Sequence, residues 1–576
     1  MHTSHVVTRA AALVALGILF APTHDATSQG APARTARPAA PRAATAPRSA
    51  ATDPATFWNA ATVYFLLTDR FENGDSSNDR ALGRAHDGAV LRSFEGGDLA
   101  GVLRKLNEGY FDSLGVDAIW LTPFVEQIHG SVDEGTGRTY GFHGYWTRDW
   151  TAVEPALGTR DDLRAVVDAA HRRGIRVLMD AVINHTGPVT PQDPQWPNDW
   201  VRTSPNCTYR SYATNVECTL VATLPDVRTE RDDPVELPPA LVAKWTREGR
   251  LDQERAGLDA FFQRTGYPRA PRYYIIKWLT DWVREFGIDG YRIDTAKHFG
   301  EAVSAELKRE AEVAFADWKR AHPSQVLDSL PFYMVGEVYG WAPGQGRAYS
   351  FGDRSVDYFN FGYDGLINFG FKSDATWPMD SLFTRYGAVL HGALSGVSLL
   401  NYLDSHDDGG PYDRERARPV EAGTRLLLAP GGAQVYYGDE LARPLRVAGA
   451  EGDANLRSMM NWGDLERGGR TAEILRHWRK LGQFRRAHPA VGAGAHRRLQ
   501  AAPYVFSRTL EATNGRVDRV VIALDQPAGA KTVPVTGVFP DGTELVDAYS
   551  GTRGTVRGGT VALTTPFPVV LLSRQR

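Results

Sequence analysis

Carboxylate-bearing clusters follow four separate apolar runs of this 576-residue sequence. They occupy positions 180–185, 292–294, 336–337 and 404–407. Two carboxyl groups that flank one glycosidic bond can cleave it, one acting as nucleophile or base and the other as proton donor. The clusters therefore provide Asp294, Glu337 and Asp407 as candidate catalytic residues for sugar chemistry.

The second and third clusters supply two carboxyl groups with opposite protonation requirements. Arg292 and Asp294 are two positions apart in a predicted strand, so their side chains point to the same face. A neighbouring arginine favours the ionised form of Asp294, which suits a nucleophile. Glu337 follows an apolar run at 332–335, where partial burial raises a carboxyl pKa and suits a proton donor. Adjacent strands can hold two carboxyl groups about 5–5.5 Å apart, the separation of retaining glycosidases.

Each of these residues also has an ordinary structural interpretation. A single Asp or Glu near a strand end is usually a helix cap or a surface charge, and a single His is usually structural. We expect Asp180 to pair with Arg292, and Asp407 to contact sugar hydroxyls and support an oxocarbenium-like transition state. The joint occurrence of these residues at successive strand ends favours the catalytic interpretation.

Eight short apolar runs alternate with amphipathic helical patterns between about 57 and 490. Continuous apolar strands separated by helices are typical of a parallel sheet whose outer face is covered. We therefore predict an α/β fold, a (β/α)₈ TIM barrel, with the polar clusters at the carboxyl-terminal ends of its strands. The predicted strands are 63–67, 118–121, 175–183, 290–294, 332–338, 358–361, 398–404 and 434–437.

Other parts of the sequence break this alternation and indicate further segments. The start has the apolar run of a signal peptide, and an Ala-, Pro- and Arg-rich linker follows it. A polar, proline-rich stretch after the third strand predicts an inserted subdomain, and short strands with turn signals predict a C-terminal all-β sandwich. The predicted boundaries are 1–26 for the signal peptide, 27–52 for the disordered linker, 53–184 and 270–490 for the barrel, 185–269 for subdomain B and 491–576 for the β-domain.

Composition and cysteine content limit the possible partners and compartments. The formal net charge of −3 provides no strong field for nucleic acid or an acidic membrane surface. After signal cleavage, no stretch is apolar enough to span a membrane. Cys207 and Cys218, the two cysteines of an exported chain, predict a disulfide. We expect an exported monomer, periplasmic or secreted, with no nucleic-acid or membrane partner.

The four clusters resemble the signature segments of the α-amylase family of glycoside hydrolases. The resemblance covers about 57–490, and three segments within it are most similar to bacterial periplasmic α-amylases. Ser405 departs from the Asn that many relatives carry. The matching segments are 180–185, 290–298, 336–337 and 403–407, with further family motifs at 142–146, 224–226 and 434–440 and the periplasmic-type segments at 270–298, 457–462 and 483–489.

The resemblance implies a retaining hydrolase that cleaves α-1,4-glucosidic bonds of starch or maltodextrins by double displacement. It implies Asp294 as nucleophile, Glu337 as acid/base and Asp407 as transition-state stabiliser. A cyclomaltodextrinase, a neopullulanase or a glucan transferase with the same catalytic set is the alternative, and a non-catalytic glucan-binding protein is a remote one. The implied substrate contacts are Arg292, His143, Tyr145, His185, Lys297, His298 and His406.

Two oxygen-rich groups of residues resemble calcium sites of the family, and Ca²⁺ takes about six to eight oxygen ligands. The first group would join the barrel to the inserted subdomain and comprises Asn184, Asp226 and the backbone carbonyl of His298. The second group lies near the start of the barrel and comprises Asn73, Asp75, Asn78, Asp79, Gly96 and Asp98. An ordinary Asn/Asp/Gly turn is the alternative for the second group.

Overall fold

A computed structural model of the protein describes residues 53–511 and 515–574. The predicted signal peptide (1–26) and linker (27–52) lie outside the described residues. Within the described part, a closed β-barrel surrounded by helices precedes a smaller all-β region.

Eight parallel strands form the barrel, and each pairs with its neighbours in chain order. Every residue of these strands is buried, which explains why their sequences are mostly apolar rather than alternating. The predicted TIM barrel is confirmed. Its strands are β1 Thr62–Leu66, β2 Ala118–Leu121, β3 Arg176–Ala181, β4 Gly290–Ile293, β5 Tyr333–Gly336, β6 Gly365–Asn368, β7 Ser398–Asn401 and β8 Gly432–Tyr436.

The sixth strand lies downstream of its predicted position. The aromatic run at 358–361 forms a short 3₁₀ helix, Tyr358–Phe361, which Asp357 caps and Gly362 ends in a left-handed conformation. The strand is β6, which pairs with β5 and β7. The prediction of a strand at 358–361 is wrong because aromatic residues fit a half-buried turn as well as a sheet.

Helices cover the outside of the barrel, and their ends show ordinary capping chemistry. Thr159 and Asp162 form a capping box at the start of α2. Within residues 53–511 and 515–574, no helix combines the length and apolarity needed to cross a bilayer. The longer helices between the strands are α1 Leu99–Asn107, α2 Arg160–Arg172, α3 Pro271–Phe286, α4 Glu301–Ala321, α5 Met379–His391, α6 Pro419–Leu427 and α7 Arg470–Ala487. Shorter helices are Pro54–Ala60, Thr68–Phe71, Tyr110–Leu114, Phe371–Asp374, Trp462–Arg467 and Ala490–Ala493.

The long segment between β3 and α3 carries its own secondary structure. The predicted disulfide Cys207–Cys218 is present, with Cα atoms 4.9 Å apart. Lys244 is buried and reaches carboxylate oxygens of Glu126 and Asp149 at 2.8 Å each, which ties the segment to the loop after β2. Its helices are Ala213–Val216, Pro239–Arg247 and Leu251–Thr265, and Val201–Arg202 pairs with Asp226–Val227. The limits 185 and 269 of this subdomain remain a prediction.

The C-terminal region is all-β and antiparallel, as predicted. Six strands form one sheet and the remaining two, β12 and β15, form another. Valine and leucine side chains, including Val533, Leu545 and Leu572, are fully buried between them. The strands are β9 Ala495–Gln500, β10 Val505–Glu511, β11 Val517–Ala523, β12 Gly529–Pro534, β13 Glu544–Asp547, β14 Arg553–Thr555, β15 Thr560–Thr565 and β16 Val570–Arg574.

Candidate active site

The predicted polar clusters meet at the carboxyl-terminal end of the barrel. In the strand register, Arg292 of β4 lies beside Asp180 of β3 and Val335 of β5. Asp294 directly follows β4, and Glu337 directly follows β5. Both residues are buried, Asp294 with 5% and Glu337 with 6% of its surface exposed. This is the end of the barrel where enzymes of this architecture place their reacting groups.

One buried guanidinium, that of Arg292, holds three carboxyl groups together. Its Nη1 lies 2.6 Å from Asp294 Oδ1 and 2.8 Å from Asp180 Oδ1. Its Nη2 lies 3.0 Å from Glu337 Oε2. The structure therefore brings the predicted nucleophile and the predicted acid to opposite sides of a single cation, and Asp180 pairs with Arg292 as expected.

Asp294 has one oxygen that is held and one that is free to react. Arg292 fixes Oδ1, whereas Oδ2 is buried and has no hydrogen-bond partner among the described residues. A buried carboxylate oxygen without a partner is costly in an ordinary structural role. An oriented carboxylate with one unengaged oxygen is what covalent catalysis requires.

Glu337 has the environment of a proton donor. Burial raises the pKa of Glu337 to about 8, with Arg292 acting against it and the charges of Asp294 and Asp407 acting in the same direction as burial. The backbone N–H of Thr295 donates to Glu337 Oε2 at 2.6 Å and fixes the carboxyl group. At neutral pH this group is mostly protonated, as a general acid requires.

Asp407 lies at the open edge of the same cluster. Removal from water acts to raise the pKa of Asp407, but His406, Arg292 and Arg457 together lower it below its usual range. Ser405 Oγ donates to Asp407 Oδ1 at 3.1 Å. The side chain is 37% exposed, so this ionised carboxylate can accept hydrogen bonds from a ligand in the cleft.

Asp180 occupies the floor of the cluster and does not face the cleft opening. Its Oδ2 accepts hydrogen bonds from Trp120 Nε1 at 3.1 Å and from Tyr145 OH at 2.7 Å. Burial raises the pKa of Asp180 to about 6, and Arg292 opposes that rise. Asp180 therefore fixes Arg292 and the ring of Tyr145 rather than reacting itself.

Tyr145 and three predicted histidines form a wall beside the carboxylates. The Tyr145 ring stacks on His406 with centroids 5.0 Å apart, and the His143 ring lies 5.8 Å from it on a nearly parallel plane. His185 Nε2 donates to the Tyr145 carbonyl at 3.0 Å. Burial lowers the pKa of all three histidines, in His406 to about 4, so they are neutral at neutral pH. Neutral imidazoles can donate to and accept from sugar hydroxyls.

Lys297 and His298 belong to the loop that follows Asp294. Lys297 Nζ donates to the Tyr339 carbonyl and to Tyr349 OH at 3.0 and 3.1 Å. The His298 ring donates from Nδ1 to the Asn215 carbonyl of the inserted segment at 3.1 Å, and burial lowers the pKa of His298 to about 4. Among the described residues, their hydrogen bonds join this loop to its neighbours and none reaches a predicted catalytic carboxylate.

The first predicted calcium site lies where the inserted segment meets the end of β3. Val227 N donates to the Asn184 carbonyl at 2.7 Å, which joins the two segments. Asp226 Oδ1 is buried without a hydrogen-bond partner, and the Asn184 amide nitrogen is likewise unpartnered in the described structure. Asp226 Oδ2 lies 2.9 Å from Arg202 Nε. Burial raises the pKa of Asp226 to about 8, and a cation beside the unengaged oxygen would offset this cost of burying the carboxylate.

The second predicted calcium site gathers around the start of α1. Asp98 caps this helix by accepting from Gly101 N at 2.6 Å. Its two oxygens also accept from Gly74 N and Asp75 N at 3.0 and 2.7 Å. Both oxygens of Asp98 therefore accept hydrogen bonds that hold the loop. Asp98 fixes the shape of the site and has no free oxygen to offer a cation.

The remaining residues of this second site leave oxygen atoms directed inward. Asn73 Nδ2 donates to Asp79 Oδ1 at 2.9 Å, and Asn78 Oδ1 is buried without a partner in the described structure. A Cβ at Gly96 would lie 2.7 Å from Asp79 Oδ1, so only glycine lets the backbone approach. No group of three or more Asp, Glu, His or Cys side chains in residues 53–511 and 515–574 has metal-binding geometry. A hard cation here would depend on amide and backbone oxygens, which suits Ca²⁺.

Three residues that shape the site were not predicted as part of it. Trp120 lies in β2, one position before its end, and donates to Asp180, and the backbone of Thr295 orients Glu337. Arg457 Nε donates to the His406 carbonyl at 2.9 Å, which fixes the loop that carries Asp407. A search of strand ends for hydrogen-bond donors, and not only for acids, would have found Trp120.

The assembled groups suit acid-assisted substitution at an acetal carbon. They comprise an oriented carboxylate with a free oxygen, a protonated carboxyl group on the same guanidinium and an exposed third carboxylate. Neutral imidazole and phenol rings line one side. A protonated carboxyl group close to a second carboxyl group is the arrangement that glycosidases use to cleave an acetal bond.

Comparisons with known proteins agree with this fold. A model of the alpha amylase catalytic domain matches residues 65–473. Periplasmic alpha-amylase of Escherichia coli strain K12 is 36% identical over 499 residues, which cover 76% of this chain and 68% of that protein. Cyclomaltodextrin glucanotransferase of Geobacillus stearothermophilus is 26% identical over 515 residues, which cover 84% of this chain and 62% of that protein. This chain thus spans about two thirds of the length of these two relatives.

Solved structures show the same fold. The crystal structure of an alpha-amylase from Geobacillus thermoleovorans, complexed with acarbose, matches with a TM-score of 0.62 and 24% identity, covering 90% of this chain and 99% of that one. The domain match extends over most of the chain, and it includes all three predicted catalytic carboxylates. The chain therefore belongs to the α-amylase family of glycoside hydrolases.

Proposed function

We propose that this protein hydrolyses α-1,4-glucosidic bonds of starch-like glucans with retention of configuration. The observation that carries the proposal is the shared guanidinium of Arg292, which pairs with Asp294 on one side and contacts Glu337 on the other. Two of the proteins named above are alpha-amylases, which supports the glucan as substrate.

In the first step, Asp294 Oδ2 attacks the anomeric carbon and the glycosidic C–O bond breaks. Glu337 gives its proton to the departing oxygen, so the leaving chain departs as an alcohol and Glu337 becomes a carboxylate. Asp407 and the neutral histidines bind ring hydroxyls, and Tyr145 packs against the sugar face. Lys297 and His298 line the side of the departing chain.

In the second step, the ionised Glu337 removes a proton from water while the water oxygen attacks the same carbon. The bond to Asp294 breaks, and the original protonation states return. If a sugar hydroxyl replaces the water, the same steps give transfer instead of hydrolysis. The similarity to cyclomaltodextrin glucanotransferases keeps transfer as the second candidate function.

Product chromatography tests the proposal with the purified chain and four substrates: soluble starch, maltoheptaose, β-cyclodextrin and pullulan. Hydrolysis predicts linear maltooligosaccharides of α configuration, whereas a transferase would form cyclic or elongated products. Preferred cleavage of cyclodextrin or pullulan would indicate a cyclomaltodextrinase or neopullulanase. Binding of maltoheptaose without any product would contradict the proposal and favour a non-catalytic glucan-binding protein.

We also propose that the chain binds calcium at the two sites described above. The unpartnered oxygens support this, since a cation bound at each site would give its oxygen a partner: Asp226 Oδ1 at the first site and Asn78 Oδ1 at the second. Asn184, Asp226 and the His298 carbonyl would hold one ion; Asn73, Asp75, Asn78, Asp79, Gly96 and Asp98 would surround the other. The ions would fix loops beside the cleft and take no part in the reaction.

Metal analysis and thermal unfolding together test the calcium proposal. Treatment with a chelator should lower Tm, and added Ca²⁺ should restore it, because a ligand that binds only the folded state stabilises it. Asp226→Asn and Asp79→Asn should each remove one bound equivalent, while Asp133→Asn, an exposed residue of a short β-hairpin, should remove none. Equal calcium content in all three variants would contradict both sites.

The remaining expectations concern location and assembly. We propose an exported protein, periplasmic or secreted, in which 185–269 acts as subdomain B and the chain is monomeric. The relationship to a periplasmic alpha-amylase and the disulfide Cys207–Cys218 support export, since disulfides persist in oxidising compartments. Cell fractionation of the native host and sedimentation of the purified chain test these two expectations.

A further inference from the structure

A second cluster of buried charges lies behind the loop that carries Asp407. The guanidinium of Arg416 bridges two carboxyl groups: Nη1 donates to Asp404 Oδ2 at 2.6 Å, and Nη2 donates to Asp439 Oδ1 at 2.7 Å. Asp404 follows β7 and precedes Asp407 by three positions, whereas Asp439 follows β8. The cluster therefore connects the loops of two neighbouring barrel strands.

The remaining two oxygens of this cluster have no donor. Asp404 Oδ1 and Asp439 Oδ2 are both buried without a hydrogen-bond partner among the described residues. The side chains of Asp404, Asp439 and Arg416 are 3%, 2% and 9% exposed, so all three are largely shielded from bulk solvent. The two carboxyl groups lie within hydrogen-bonding reach of each other.

Charge balance decides the protonation state of this cluster. Two ionised carboxylates with one guanidinium would leave an uncompensated buried negative charge, which is strongly unfavourable. One proton placed between the two free oxygens makes the cluster neutral and gives both oxygens a partner.

We propose that Asp404 and Asp439 share one proton and form, with Arg416, a neutral clamp that positions the loop bearing Asp407. Asp404 and Asp439 are positioning residues, because they contact the loop and not the sugar. This inference rests on the proposed role of Asp407 in the reaction. It assigns a function to Asp439, one of the two acidic residues in the 434–440 motif, which the reaction steps leave unused.

The groups around the clamp are consistent with a protonated acid. Burial raises the pKa of Asp439 well above its usual value, Asp404 raises it further, and Arg416 opposes both. Arg443 meets the clamp through its carbonyl, which accepts from Arg416 Nε at 2.7 Å, and Arg470 donates to the Arg416 carbonyl at 3.1 Å. Neither of these arginines contacts the two carboxyl groups among the described hydrogen bonds.

Thermal unfolding across pH tests the shared proton without any assay of activity. Asp439→Asn replaces the acid by an amide of the same shape, which donates to Asp404 and still accepts from Arg416. When folding raises the pKa of a carboxyl group, the protonated group stabilises the folded state. This stabilisation is complete below the pKa of the unfolded chain, near pH 4, and is lost as the pH rises through the pKa of the folded state. The Tm of the wild type should therefore fall more steeply between about pH 5 and pH 9 than the Tm of Asp439→Asn.

The double variant Asp404→Asn/Asp439→Asn provides the matched control. The double variant leaves Arg416 buried without an anion, so its Tm should fall well below the Tm of Asp404→Asn or of Asp439→Asn alone. A Tm difference between wild type and Asp439→Asn that stays constant across the pH range would overturn the shared proton. This result would be informative whether or not the wild type hydrolyses glucans, so it separates failure of the clamp from failure of the proposed function.

Kinetics on maltoheptaose test the positioning role. Asp439→Ala removes the clamp, and displacement of Asp407 by about 1 Å should lower kcat on the order of 10²-fold. KM should change less than about threefold, since Asp407 acts mainly on the transition state. Asp439→Asn should restore kcat to within about threefold of wild type. Arg416→Lys can reach only one carboxyl group, so its kcat should lie between those of Asp439→Ala and Asp439→Asn. This variant replaces Asp439→Ala in the test if Asp439→Ala does not fold. Equal kcat values for the Ala, Lys and Asn variants would overturn the positioning role.

Discussion

The substitution Glu337→Gln isolates the proton that the proposed mechanism needs. Glutamine preserves the shape of the side chain and can still accept from Thr295 N, but it has no acidic proton to give. It also removes a carboxyl group from the Arg292 cluster, so the fold should tolerate it. The loss should therefore depend on how much the leaving group requires protonation.

The structure sets the size of the expected effect. With the pKa of Glu337 at about 8, the acid form outnumbers the ionised form about tenfold at pH 7, so nearly the whole population is competent. General acid catalysis contributes about 10²–10⁴-fold when the leaving group is a poor one. We expect kcat/KM for maltoheptaose, whose leaving group is a sugar alkoxide, to fall about 10³-fold or more.

A second substrate separates acid catalysis from damage to the site. 2-Chloro-4-nitrophenyl α-maltotrioside releases a stable phenolate that needs no proton, so its kcat/KM should fall less than about tenfold. Its kcat should fall further, because the second step lacks a base and the glycosyl-enzyme accumulates. Azide, which attacks without a base, should restore turnover.

The assay compares initial rates of both substrates, by chromatography for maltoheptaose and by absorbance for the phenolate. Glu310→Gln is the matched control, a buried glutamate on α4 with 5% exposure that lies outside the site. It should leave both rates near wild type. An equal loss on both substrates, without azide rescue, would refute the assignment of Glu337 as the acid.

Three further predictions concern the nucleophile, the pH profile and the disulfide. Asp294→Asn should lower kcat/KM by about 10⁴-fold or more on both substrates, because the attacking group itself is lost. A smaller loss of kcat/KM on either substrate would contradict the role of Asp294 as nucleophile. Because Glu337 must be protonated, kcat/KM should decline as pH rises through about 8, and in Glu337→Gln this alkaline limb should be absent from the pH–rate curve. Replacing Cys207 and Cys218 together by serine should lower the free energy of unfolding by about 2–3 kcal/mol with little change in kcat, as chemical denaturation would measure.

The sequence predicted local relations in the site better than distant ones. The two-residue spacing of Arg292 and Asp294 was enough to place them on one face, and the two side chains are in contact. The contact between Arg292 and Asp180, 112 positions apart, was expected only because both follow barrel strands. The sixth strand was misplaced because Tyr358–Phe361 and Gly365–Asn368 are equally short apolar runs. Only pairing with β5 and β7 distinguishes them, and such long-range pairing is absent from a local pattern.

For Glu337, the local sequence predicted the correct direction of the pKa shift but only part of its cause. The apolar run before Glu337 predicted burial, and burial is the largest contribution to its raised pKa. Yet Arg292 lies 3.0 Å from Glu337 and alone would favour the ionised form. Asp180 and Asp294 already share that positive charge, so the guanidinium cannot compensate a third carboxylate. The acid role therefore follows from the ratio of carboxyl groups to cations in the pocket, and the same ratio produces the shared proton behind β7 and β8.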